Sequence, residues 1–427
     1  MTIFPGPLRG DLTILPSKSQ LHRLLICAAL ADGETSVRSA PTQAEDVAAT
    51  IACLTALGAK IQQTEGGFRV APIDRANLPR HAILPCRESG STFRFMLPLV
   101  CALGVSGEFH MAGRLPERPI APLDSELTRH GVRLTRPKSD VLCAKGLLQP
   151  GDFRLPGKIS SQYITGLLLA LPLLTGDSAL TIEGPVESEG YIHMTLEACK
   201  TFGQTPVIEG SRYVCKGGLP SSAPYQTPGT VSAEGDWSNA AFWLCAGAMP
   251  GGNVTVHGLS KNSRQGDREI IHILEQMGAR ITWAGEAVAA AEGRRRAVEI
   301  DAAGVPDLIP VLSAVAAVGE GRTVIRNAAR LRIKESDRLA STAQTLNALG
   351  ARVTEEAEGL IIDSVPRLTG GTVDAWGDHR IAMMAAVAGT AAGGPVTITG
   401  AQAVRKSYPQ FFDDLAALGG NLVIEEA

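Results

Sequence analysis

The chain has 427 residues and carries 40 Lys and Arg against 43 Asp and Glu, a formal net charge of −3. That length exceeds what one hydrophobic core usually supports, so two domains are expected. The near-neutral balance gives no basis for nucleic-acid binding or for attachment to anionic lipid. Eight cysteines, never closer than 15 residues apart, exclude CxxC redox pairs and paired zinc ligands and fit reduced core thiols. The opening MTIFPGPLRGD lacks the regions of a signal peptide, and the longest apolar run, Gly166 to Leu174, is too short for a membrane span. A cytoplasmic protein is expected.

The first predicted helix lies within LPSKSQLHRLLICAAL, residues 15–30. Ser17 or Ser19 can cap it, and Lys18, Ser19 and Arg23 then flank one helix end, Ser19 and Arg23 sharing a face. Cations sit poorly at the positive end of a helix, so two of them there suggest that an anion completes the arrangement. Further along, RESGSTFRFML (87–97) is a small-residue loop leading into a helix, with Gly90 permitting close backbone approach. RLPERPIAPL (114–123) puts Arg118 before a proline in a non-helical turn. GKISSQYITGLLLALPLL (157–174) starts a buried helix on Ser160, Ser161 and Gln162, and GDWSNAAFW (235–243) repeats that design.

VPDLIPVLSAVAA (305–317) sets Asp307 at the start of an apolar helix. LRIKESDRLA (331–340) crowds Lys334, Glu335, Asp337 and Arg338 together, WGDHRIAMMAAVAG (376–389) puts Asp378, His379 and Arg380 before another apolar helix, and VRKSYPQFF (404–412) carries Arg405 and Lys406. Each has a plain structural explanation: Asp307 as a cap, the Lys-Glu-Ser-Asp-Arg run as a salt-bridged surface face, Ser160–Ser161 as ordinary capping, His379 as a structural histidine. Three of the chain's ten lysines, Lys18, Lys334 and Lys406, nevertheless fall inside the most highly charged of these stretches.

A helical pattern ending in glycine, followed by a strand-like segment, recurs six times, at Gly58, Gly131, Gly203, Gly278, Gly350 and Gly419, at intervals of 69 to 75 residues. Each glycine is placed to end a helix in the left-handed conformation before a strand returns. The repeat predicts an α/β fold of six units, three per domain, with sheets packed around nearly all-apolar helices such as 240–249 and 381–392. The turn-rich stretch from Tyr225 to Asp236 marks the break. The expected domains are 15–232, with repeats one to three, and a discontinuous 1–14 with 233–427, with repeats four to six; the strand before Leu15 could pair with either half.

Taken in order, SKSQLHR, ESGSTFR, RLPERPI, SSQYITG, GDWSNAA, KESDRLA, GDHRIAM and RKSYPQFF resemble the motifs of the 5-enolpyruvylshikimate-3-phosphate synthase family, over the chain from Leu15 to Phe412. The resemblance implies the two-domain enolpyruvyl transferase fold, with the active site in the cleft between domains that close on the substrates. It implies transfer of the enolpyruvyl group of phosphoenolpyruvate to the 5-hydroxyl of shikimate 3-phosphate, with release of phosphate, in the shikimate pathway to aromatic amino acids. On this resemblance Lys18, Gly90, Arg118, Gln162, Arg338, Arg380 and Lys406 are the phosphoenolpyruvate contacts. Lys18, Ser19, Arg23, Ser160, Ser161, Gln162, Ser188, Asp307 and Lys334 are those of shikimate 3-phosphate. Asp307 is implied as the base and Glu335 as the acid, with Lys18 a second candidate for proton transfer to the leaving phosphate.

Two phosphates and two carboxylates bring roughly −5 to −6 of charge, which the seven cations Lys18, Arg23, Arg118, Lys334, Arg338, Arg380 and Lys406 balance, so no metal and no cofactor are expected. The partners implied are the two small anionic substrates, with no nucleic acid and no membrane, and the chain is expected to act as a monomer. Glu88–Ser89 stands where many members have Asn-Ala, Arg330 replaces a common Asn, and Glu189–Gly190 replaces Lys-Pro. One alternative is the related transferase acting on UDP-N-acetylglucosamine, but the loop from Glu108 to Pro119 lacks that enzyme's cysteine. Another is a catalytically inactive phosphometabolite-binding relative, against which Asp307, Glu335 and Lys18 speak.

Overall fold

A computed structural model describes residues 1–218 and 223–424. The described residues form six four-stranded sheets. The repeat is seen in full between 152 and 215. Strand Asp152–Pro156 runs through helix Ser161–Ala170 to strand Ser178–Glu183, and helix Glu189–Thr201 leads to the hairpin Val207–Glu209 and Arg212–Cys215. The first two strands pair parallel and the rest antiparallel, in the order first, second, fourth, third. A helix between parallel neighbours is the connection such a pair needs. Ser178–Glu183, Asn253–His257, Arg322–Arg326 and Val396–Thr399 are strands.

The six repeat glycines have φ between +79° and +104°, the left-handed conformation expected of them. The chain folds as two compact units, Pro16–Ala233 and Met1–Leu15 with Glu234–Ala427. Each has its own hydrophobic core, one extending from Leu21 to Tyr225 and the other from Ile3 to Leu418.

The leading strands of the first and fourth repeats are exchanged along the chain. Arg9–Thr13 precedes the Lys18–Ala29 helix yet pairs parallel with Asn253–His257. Thr230–Ser232 precedes the Trp237–Ala248 helix yet pairs parallel with Thr35–Arg38. Strand Thr2–Phe4 completes the last sheet between Val396–Thr399 and Asn421–Val423. Of the two halves left open by the sequence, the N-terminal strands therefore belong with the later one.

Within the Glu234–Ala427 unit the helices Trp237–Ala248, Ile309–Ala317 and His379–Thr390 pack on one another. The last two are wholly buried and the first is buried except at Ser238. All-round apolar sequences have this fate because no face can be given to water. Within the Pro16–Ala233 unit, Gly90–Ala102 packs against both Lys18–Ala29 and Ser161–Ala170. Each unit thus holds three inner helices, and Lys18, Gly90, Ser160, Asp236, Asp307 and Asp378 lie at or just before their N-terminal ends.

Candidate active site

In the Pro16–Ala233 unit, Ser17 caps the Lys18–Ala29 helix, its hydroxyl accepting from the Gln20 amide. Of the two candidate caps the structure uses Ser17, because Ser19 already lies inside the first turn. Lys18 at the first helical position donates from Nζ to Asp46 Oδ2 over 2.7 Å. Asp46 stands in the first turn of the Glu45–Ala56 helix, where an acid is favoured by the dipole. Arg23, one turn further on, is 2% exposed. It donates to Thr195 Oγ1 (2.9 Å), Ser19 O (2.6 Å), Thr165 Oγ1 (3.2 Å) and Tyr191 O (2.9 Å), all neutral oxygens, and its guanidinium lies over the Phe95 ring. Burial lowers its pKa to about 10, which still leaves it charged at neutral pH. A cation so held keeps a positive field available to a neighbouring anion.

Ser89 caps the Gly90–Ala102 helix, accepting from the Thr92 amide. A side chain at Gly90 would stand 2.7 Å from guanidinium nitrogens of both Arg118 and Arg94, so two cations crowd the backbone at this helix start. Arg94 is 3% exposed and donates to Gln162 Oε1 (2.9 Å) and Pro119 O (3.0 Å). Gln162 in turn donates to Ser91 Oγ over 3.0 Å. Ser160 caps the Ser161–Ala170 helix on which Gln162 stands. Ser188 is buried and holds a left-handed backbone, φ +56°, immediately before the Glu189–Thr201 helix. Lys18, Ser19 and Arg23 thus share one helix end, Gly90, Arg118 and Gln162 meet around Arg94, and Ser160, Ser161 and Ser188 cluster at two further helix starts.

The Glu234–Ala427 unit is organised around Arg338, which is 1% exposed. Its Nε donates to Asp378 Oδ2 (2.8 Å), its Nη1 to Asp307 Oδ1 (2.7 Å) and its Nη2 to Glu335 Oε2 (2.6 Å). Burial works against its charge, but Asp378, Glu335 and Asp307 outweigh burial and raise its pKa well above the ordinary value. The run 334–338 is therefore no surface face. Asp307 is no cap either: the helix begins at Ile309, and the carboxylate is spent on Arg338 and on Arg380 Nη2 at 3.3 Å. Arg380 also donates to Asp307 O over 3.1 Å. Asp378 caps the His379–Thr390 helix and accepts from the Arg380 amide and the Ser336 hydroxyl. Burial lowers the Lys334 pKa to about 8, with Asp307 pulling it up and Arg330 and Arg338 pushing it further down. Lys406 donates from Nζ to Gly377 O over 2.6 Å.

Four non-glycine residues have positive φ: Arg87, Ser188, Asn327 and Trp376, all between +51° and +56° among the described residues. Arg87 and Trp376 open the 87–97 and 376–389 stretches, Ser188 is one of the predicted site residues, and Asn327 lies four residues before the 331–340 stretch. Arg94, Asp46, Asp378 and the threonine cradle of Arg23 were not assigned a role from sequence. Arg94 could have been found from its place one turn beyond Gly90 on the same helix face; the others become visible only through contacts between distant segments. The described residues contain no group of three metal-ligating side chains and no helix long and apolar enough to cross a membrane.

The chemistry available differs between the two units. The first constellation offers buried cations, hydroxyls and helix N-termini, which suit binding of phosphate and carboxylate. The second alternates carboxylates with guanidinium groups and offers proton acceptors beside cations. Residues 4–415 match the family described as EPSP synthase (3-phosphoshikimate 1-carboxyvinyltransferase). A 3-phosphoshikimate 1-carboxyvinyltransferase of Clostridium beijerinckii is 41% identical over 98% of this chain and 97% of its own length. The enzyme of the same name from Clostridioides difficile is 37% identical over 99% and 98%. An EPSP synthase structure from Acinetobacter baumannii matches with a TM-score of 0.78 at 26% identity, covering 98% of this chain and 97% of that one. The enolpyruvyl transferase NikO of Streptomyces tendae shares the fold at a TM-score of 0.78 and 20% identity, over 98% and 97%.

Proposed function

The chain belongs to the EPSP synthase family, and we propose that its two constellations act together on one pair of substrates in 3-phosphoshikimate 1-carboxyvinyl transfer. The enzyme moves the enolpyruvyl group of phosphoenolpyruvate to the 5-hydroxyl of shikimate 3-phosphate and releases phosphate. The observation that carries the division of labour is the triple carboxylate contact of Arg338. It fixes Asp307 and Glu335 on the two terminal nitrogens of one planar group, side by side.

In this reading Arg23, Ser19, Ser160, Ser161, Gln162 and Ser188 receive shikimate 3-phosphate, with Lys334 and Asp307 reaching it from the other unit. Lys18, Gly90, Arg118, Gln162, Arg380 and Lys406 receive phosphoenolpyruvate, and Arg94 holds Gln162 in place. Arg338 reaches the same substrate while it keeps the acid and the base aligned. Asp307 takes the 5-hydroxyl proton as the new C–O bond forms, and Glu335 gives a proton to the methylene carbon, producing a tetrahedral intermediate. Collapse then expels phosphate, with Lys18 able to supply a proton to it, and one methyl proton returns to a carboxylate so that the enolpyruvyl double bond reforms. Carboxylates beside the cation-like carbon lower the barrier electrostatically. Closure of the two units over the substrates would expel water and strengthen each of these interactions.

The chain acts as a monomer in this reading, since one chain carries both constellations, and it works in the cytoplasm on metabolites made there. Initial rates of phosphate release from phosphoenolpyruvate test the assignment. Release that depends on shikimate 3-phosphate supports it. Release only with UDP-N-acetylglucosamine, or with neither acceptor, contradicts it.

A further inference from the structure

Three helices of the Pro16–Ala233 unit are joined by a chain of buried side chains to which the proposed reaction gives no task. His22 stands one turn beyond Lys18 on the Lys18–Ala29 helix, Thr50 lies on Glu45–Ala56, and Thr92 lies in the first turn of Gly90–Ala102; each is 0% exposed. His22 Nδ1 is 2.7 Å from Thr50 Oγ1, which is 2.7 Å from Thr92 Oγ1. Thr92 Oγ1 is in turn 2.8 Å from Ser89 Oγ and 3.3 Å from the backbone oxygen of Asp46. Ser89 is the cap immediately before Gly90, and the Asp46 carboxylate is the partner of Lys18.

The direction of the chain follows from its two ends. His22 Nε2 has no hydrogen-bond partner among the described residues, and the ring meets Phe95 edge to face, 6.2 Å between centroids. A proton on Nε2 would be an orphaned buried donor, a costlier fault than an unused lone pair, so the proton belongs on Nδ1. Burial lowers the His22 pKa well below its ordinary value, the Lys18 and Arg23 charges adding to this, so the ring is neutral at pH 7. At the far end the Asp46 carbonyl can only accept. Each hydroxyl has one proton to give. Nδ1–H therefore donates to Thr50, Thr50 donates to Thr92, and Thr92 shares its proton between Ser89 Oγ and Asp46 O. The other tautomer would reverse the order and leave no proton for Asp46 O.

We propose that His22, as its Nδ1–H tautomer, is a positioning residue that holds the Gly90 helix start and the Asp46–Lys18 pair in one geometry through Thr50 and Thr92. It touches neither substrate. The inference rests on the reading of Lys18 and Gly90 as phosphoenolpyruvate contacts.

Two measurements separate it from that reading. In the full-length, ligand-free protein labelled with nitrogen-15 in histidine, the His22 resonances, assigned by their loss in His22→Asn, should show a neutral ring protonated at Nδ1. Thr50→Val replaces the middle hydroxyl by a methyl group. It should raise the phosphoenolpyruvate KM about tenfold, the effect of one lost buried hydrogen bond, with kcat and the shikimate 3-phosphate KM little changed. Thr50→Ser restores the hydroxyl and should restore the KM, a rescue that a purely packing role for Thr50 would not give. Thr92→Val breaks the next bond and serves if Thr50→Val does not fold. An Nε2–H ring, an imidazolium at pH 7, or a phosphoenolpyruvate KM unmoved by either valine or not restored by serine overturns the proposal. Unchanged phosphoenolpyruvate KM in both Lys18→Met and Gly90→Ala overturns the reading of those contacts instead, while the ligand-free resonances still decide which way the chain runs.

Discussion

Lys334 carries a positive charge that moderate alkalinity can remove. Its pKa is lowered to about 8, so the ammonium is present below that pH and is lost as pH rises through it. A bound dianion favours the charged form, so binding must restore the proton at higher pH. Shikimate 3-phosphate affinity, measured by calorimetry, should therefore weaken above pH 8 by up to about tenfold per unit, and Lys334→Gln should bind weakly without that slope. Asp307 poses a different test, because it is the proposed proton acceptor and pairs with two arginines. Asp307→Ala should cut kcat by about 10²–10⁴-fold, as loss of a general base does, while shikimate 3-phosphate binding largely persists. Turnover that survives the change would remove Asp307 from its role.

At the scale of the element, both constellations are built from helix starts. Gly90 opens one of them, and an added Cβ would meet the ends of Arg94 and Arg118 at 2.7 Å. Those side chains can yield, so Gly90→Ala should fold normally but raise the phosphoenolpyruvate KM about tenfold, equivalent to ~1.4 kcal/mol. The repeat glycines offer a paired test of stability. Gly58 has open space where a Cβ would go, so Gly58→Ala costs only the left-handed strain, about 1–2 kcal/mol. Gly278 would place a Cβ 2.5 Å from Arg294 O, so Gly278→Ala should lower the urea midpoint further.

These glycines, with the apolar helices between them, made the repeat legible, because a left-handed helix end and an all-apolar helix each leave a local mark in sequence. The cationic residues were legible through motif resemblance. What composition and spacing could not disclose was the wiring. That Arg338 engages Asp307, Glu335 and Asp378 together depends on three segments meeting around one guanidinium. That Lys18 meets Asp46 depends on two helices packing side by side. The strand exchange between the first and fourth repeats was equally hidden, since a strand's partner is set by where the chain returns and not by its own residues.

For the whole molecule, the proposed reaction has each unit supply what the other lacks. One set carries Arg23 and Arg94 among neutral partners, and the other carries its cations interleaved with carboxylates. Neither set alone neutralises two phosphates and two carboxylates and also provides an acid and a base. The most direct test is a crystal structure of Asp307→Asn, slowed in turnover, with both substrates bound. Our account predicts one shikimate 3-phosphate contacted by Ser160 and Ser161 from one unit and Lys334 from the other, with phosphoenolpyruvate beside it touching both Arg118 and Arg380. Substrates held entirely by one unit, with the second constellation left facing water, would contradict it.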